Sequence, residues 1–120
     1  MQKILLVVSV LALSLLSPEK SRAHVFPDHA DPREGAQLTV SPSQVRIWFD
    51  SALEPAFSSI MVQDPTGKVV DRKSSRVNPS NQRLLEVDLP KLPPGNYRVI
   101  WRVAARDGHR SKGSYKFVIK

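Results

Sequence analysis

The chain has 120 residues, 18 of them Lys or Arg against 11 Asp or Glu, and it contains no cysteine. That length suits one domain and not two. Without thiols there is no disulfide, no thiolate metal site and no cysteine nucleophile, so a small domain must be held by its core alone.

The chain opens with Met1-Gln2-Lys3 and then an unbroken run of apolar residues and serines from Ile4 to Leu16. A short polar stretch follows and ends in Ser21-Arg22-Ala23. A charged start, an apolar run of about 13 residues and small residues before the break describe a secretory signal cleaved after Ala23. The run is short of the roughly 20 residues that a membrane span needs, which weighs against an uncleaved anchor. The expected domain is therefore residues 24–120, beginning at His24. Removing the signal takes away three of the 18 basic and one of the 11 acidic residues, leaving a formal charge of +5. That charge is modest and spread along the sequence without a block. It does not point to nucleic acid, and it leaves weak attraction to an anionic membrane surface open without specifically signalling it.

Pro and Gly then punctuate short alternating segments. A short strand is expected near Leu38. Val45, Ile47 and Phe49 alternate with polar neighbours as a half-buried strand requires, with Trp48 interrupting the polar face and covered there by a loop. Ile60 and Val62 mark the next strand, and Met61 is expected as ordinary packing. Asp64-Pro65-Thr66-Gly67 forms a tight turn into a short strand at Lys68-Val69-Val70. Leu85, Val87 and Leu89 share an apolar face. Leu92-Pro93-Pro94-Gly95-Asn96 turns into the strongest strand, where Tyr97, Val99, Trp101 and Val103 point one way. Gly113 is expected to open a last strand carrying Tyr115, Phe117 and Ile119 on one face. About seven strands at these spacings predict an all-β, Ig-like Greek-key sandwich, with a small closed barrel as the alternative.

Three histidines remain after the signal: His24, His29 and His109. Cleavage would give His24 a free α-amino group beside its own imidazole, two nitrogens able to close a chelate ring on one metal ion. An α-amine titrates near 8, so a metal can displace its proton at neutral pH. Asp107-Gly108-His109 can offer a carboxylate and a second imidazole from one tight loop, although the tripeptide alone also describes a plain hairpin. A nitrogen-rich set with one oxygen suits Cu(II), and zinc competes for the same ligands. Met61 alone cannot build a thioether site for Cu(I).

These segments resemble the CopC-type periplasmic copper-binding proteins. The resemblance is carried by Ala23-His24 and by the run from His29 through Asp31-Pro32-Arg33-Glu34-Gly35. It continues in Val45-Arg46-Ile47-Trp48-Phe49-Asp50, in Leu92 to Trp101 and in Asp107 to Phe117. It implies a seven-stranded Greek-key sandwich and one Cu(II) per chain, held by His24 through amine and imidazole with Asp107 and His109. It also implies copper homeostasis or resistance in the periplasm and a CopD-type inner-membrane copper transporter as partner; a monomer is expected. The methionines of the Cu(I)-binding members are missing, so the chain is similar to the Cu(II)-only type. His29 is expected at the surface or beside a ligand, and Asp50 and Glu54 are both candidates for a supporting acid. An N-terminal-His copper oxidase and a metal-free Ig-like interaction module are the competing readings. Against the oxidase stand the short chain and a carboxylate that favours holding Cu(II) over cycling it.

Overall fold

A computed structural model describes residues 25–120; the expected signal segment 1–23 and His24 lie outside the described residues. The chain forms β1 (Pro27–Asp31), β2 (Gln37–Leu38), β3 (Gln44–Phe49), β4 (Ser59–Gln63), β5 (Arg76–Val77), β6 (Leu84–Asp88), β7 (Gly95–Ala104) and β8 (Arg110–Ile119). They make two four-stranded sheets, ordered β1-β3-β6-β5 and β2-β8-β7-β4. The architecture is the expected all-β sandwich. Its two sheets are separate, so the closed-barrel alternative falls.

The alternation expected from sequence is the alternation of the core. Val45, Ile47 and Phe49 from β3 face Tyr97, Val99, Trp101 and Val103 from β7 and Tyr115, Phe117 and Ile119 from β8, all buried. Phe117 is fully buried and stacks on Tyr97, and Phe49 meets Trp101 edge-on at 5.3 Å between ring centroids. Such pairs add directional contact to burial that already drives the sheets together.

Four expectations change. There are eight strands, because β1 and β5 carry no apolar alternation that sequence could reveal. Lys68–Val70 is not a strand: Val69 makes only an isolated bridge to Gln63. The segment beyond it instead covers the edge of β4 with side chains, Ser75 Oγ accepting the Ile60 N–H and Asp71 Oδ2 the Val62 N–H. Those bonds satisfy an edge that would otherwise stay open. Met61 is on the outer face and 37% exposed, not in the core. Gly113 lies inside β8, which starts at Arg110, and pairs with Trp101.

Gly113 is required by close approach. A Cβ at this position would fall 2.5 Å from Trp101 Cζ2 and 2.9 Å from its Cε2. Trp101 is buried and meets Phe49 edge-on, a contact that its retreat would disturb. Gly113→Ala should therefore cost about 1–3 kcal/mol of stability, the usual toll of overpacking a core. The check is urea unfolding followed by tryptophan emission; an unchanged midpoint would show that the indole yields freely.

Candidate metal centre at the β7–β8 hairpin

β7 and β8 are joined by Ala105–His109, a loop closed by its own main chain. Gly108 N–H donates to the Ala105 carbonyl at 2.9 Å, and Ala105 N–H to the His109 carbonyl at 2.8 Å. Gly108 has φ +95°, a left-handed conformation natural to glycine and strained for other residues. The turn brings Asp107 and His109 together. Asp107 Oδ1 accepts the His109 N–H at 3.0 Å, and Oδ2 lies 3.1 Å from His109 Nδ1. The His109 amide, and the imidazole beside it, hold the Asp107 carboxyl below its ordinary value. Asp107 is thus an anion at neutral pH, and both side chains are open to solvent. Oδ2 and Nδ1 are spaced as two neighbouring donors on one ion would be, so the pair could close on a metal in place of the contact between them.

The hairpin rests on the segment after β3. Arg106 N–H donates to the Ala52 carbonyl, its Nε donates to the Leu53 carbonyl at 3.1 Å, and Nε lies 3.6 Å from Glu54 Oε2. Glu54 therefore braces the loop through Arg106. Asp50 has a different task. Its Oδ1 accepts the Phe26 N–H at 2.9 Å, while its own N–H donates to the Phe26 carbonyl. Ser111 Oγ donates to the Val25 carbonyl, and the Val25 side chain is fully buried. The chain just after His24 is thereby fastened beside the first turn of β8, two residues from His109. The role of Ser111 had no signal in the sequence, because its bond spans 86 positions.

Among the described residues, no three His, Asp or Glu side chains gather in a way that could hold a metal ion. Asp107 and His109 are brought together; the third expected ligand, His24, lies outside the described residues. His29 is not part of this cluster. Its ring stacks on Trp48 at 4.4 Å, nearly parallel, with Nδ1 3.0 Å from Asp28 Oδ2. Trp48 is accordingly covered by a β1 side chain and by the Arg46 guanidinium, not by a loop.

Known proteins resemble the chain in sequence and in fold. The chain is 32% identical over 114 residues to protein YobA of Escherichia coli K12, a match covering 94% of this chain and 91% of that protein. It is 31% identical over 113 residues to the copper transport protein CutJ of Bacillus subtilis 168, covering 93% of this chain but 21% of CutJ. The crystal structure of CopC from Methylosinus trichosporium OB3b superposes with a TM-score of 0.75 at 36% identity, over 81% of this chain and 94% of that one. PcoC, a methionine-rich copper resistance protein of Escherichia coli, shares the fold with a TM-score of 0.68 at 23% identity, over 81% of this chain and 99% of that one. The CopC domain itself matches residues 28–120, from β1 through the Asp107–His109 hairpin to the last residue. By that match and by relatives above 30% identity over nearly its whole length, the chain belongs to the CopC family.

Proposed function

We propose that the protein is an exported copper-binding protein that holds one Cu(II) through His24, Asp107 and His109, to sequester the ion or deliver it. The observation that carries this reading is the paired carboxylate and imidazole of one hairpin, beside the point where Ser111 fastens the Val25 carbonyl. Val25 follows His24 directly in the chain, and its carbonyl is held two positions from His109. The donor set fits the ion: imidazole nitrogen, an anionic oxygen and, once the signal is cleaved after Ala23, a terminal amine with a second imidazole. A hard oxygen at copper favours Cu(II) over Cu(I), which supports a carrier rather than a redox enzyme. Two methionines in the whole sequence, Met1 and the outward-facing Met61, leave no cluster of thioethers.

On this reading residues 24–120 work as a periplasmic monomer. A CutJ-like context, in which a domain of this size is one fifth of a copper transport protein, supports a membrane copper transporter of the CopD type as its partner. The test combines mass and affinity. Native mass spectrometry of the exported protein should read a chain starting at His24 with one added copper. Asp107→Ala and His109→Ala should each weaken Cu(II) binding by at least about tenfold while the sandwich stays folded, since the loop lies outside the core. If both variants keep the parent affinity in a competition titration, the ligand assignment fails.

A further inference from the structure

The charge that is scattered in sequence is sorted by the fold. β2, β4, β7 and β8 contain no Asp or Glu, yet they carry Arg98, Arg102, Arg110, Lys112 and Lys116. The opposite sheet holds Asp28, Asp31, Glu86 and Asp88 against only Arg46 and Arg76. All five cations of the first sheet are exposed. Strand pairing sets them against one another, Arg98 opposite Lys116 and Arg102 opposite Lys112. Like charges directly across a sheet repel. Among the described residues none of the five has an ion-pair partner. Asp64, a carboxylate on the rim, accepts its own turn's Thr66 hydroxyl and the Thr66 and Lys68 amides. Exposed Met61 lies in the same face, and the 56% exposed ring of Phe57 sits at its edge under the Arg110 guanidinium.

We infer that the outer face of β4, β7 and β8 is a docking face for an anionic phospholipid surface. An unopposed array of like charges is offset when a continuous layer of opposite charge covers it. The cations are long, flexible and evenly distributed across two strands, which matches a headgroup layer better than a shaped partner. Protein interfaces are poor in lysine at their centre; this face sets Lys112 and Lys116 opposite Arg102 and Arg98. Phe57 and Met61 supply modest apolar contact of the kind that sits at a membrane boundary. The face does not use Asp107 or His109, so the inference stands apart from copper binding.

The experiment is co-sedimentation of the exported protein with phosphatidylcholine vesicles, with and without about one-third phosphatidylglycerol. Binding should require the anionic lipid and disappear as salt rises to about 0.5 M, where exposed charges are screened. Each cation removed should weaken partition about fivefold. Replacing Arg98, Arg102, Lys112 and Lys116 together by Gln should then lower it by on the order of a hundredfold or more. The control replaces four exposed cations elsewhere, Arg33, Arg72, Arg83 and Lys91, by Gln and should lose only a few fold. Both variants share whatever N-terminus the exported protein keeps, so their difference reads the face alone. Should the fourfold variant unfold, Arg102→Gln and Lys112→Gln singly carry the same comparison. Equal losses in face and control variants would reduce the effect to net charge and overturn the inference. So would equal binding to neutral vesicles, or binding to polyglutamate without binding to vesicles, which would indicate an acidic protein partner.

Discussion

One glycine added before His24 should lower Cu(II) affinity by more than about a hundredfold. The extension turns the proposed amine ligand into an amide and breaks the chelate ring that a terminal histidine can form. Losing even an outer partner of a metal ligand can cost about a hundredfold, and here a donor itself is lost. The residues that follow His24 are held on both sides. Val25 is fully buried, Ser111 holds its carbonyl, and Asp50 holds both main-chain groups of Phe26. The new amine would sit about 3.8 Å further along the chain from this anchor. The comparison is a competition titration of the two forms, with thermal unfolding as the control. Unfolding should not move, because every residue of the buried core is unchanged. Equal Cu(II) affinities would show that copper does not use the amine.

The pairing of Asp107 with His109 was legible because it is local. Asp107-Gly108-His109 is a self-contained turn, in which a left-handed glycine lets a carboxylate reach the amide and ring two residues on. What sequence could not reveal is how Val25 and Phe26 are fastened, since the Ser111 and Asp50 bonds join residues 86 and 24 positions apart. A serine on a strand and an aspartate after one have many possible roles, and only the packing selects among them.

The same distinction runs through the fold. β3, β7 and β8 announce themselves because one face is buried and period-2 alternation records it. β1 reads Pro-Asp-His-Ala-Asp, with four of its five residues exposed. Its ladder to β3 and the His29–Trp48 stack hold it in place, neither of which leaves a hydrophobic pattern. The basic face was hidden for a related reason. Its cations alternate with core residues along each strand and become neighbours only when β7 pairs with β8.

Glu86 is the charge that a pattern reading misplaces, for it lies inside the Leu84–Asp88 strand and is only 4% exposed. Arg76 compensates it. Its Nε donates to Glu86 Oε2 at 3.1 Å, and Nη1 and Nη2 donate to the two oxygens of Asp88 at 3.0 and 3.2 Å. Asn78 adds a bond to Glu86, and Arg46 Nε stands 3.9 Å away. Arg76→Ala should strand a buried carboxylate and cost about 3 kcal/mol at neutral pH, the low end for breaking such a pair because Asn78 and Arg46 remain. The loss should also depend on pH through Asp88. Its hydrogen bonds to Arg76 first, then to Gln44 and Ser74, hold its carboxyl well below the ordinary 3.8. A carboxyl depressed in the folded state contributes stability above its ordinary value, and that contribution fades as pH falls toward the lowered one. The variant lacks the largest cause of the depression, so the gap between parent and variant should be widest at neutral pH and should narrow below about pH 4. Urea unfolding of both proteins at neutral pH and near pH 3 measures it. A gap that stays constant with pH would remove Asp88 from the account. A loss below about 1 kcal/mol at neutral pH would mean that Asn78 and Arg46 satisfy Glu86 without Arg76.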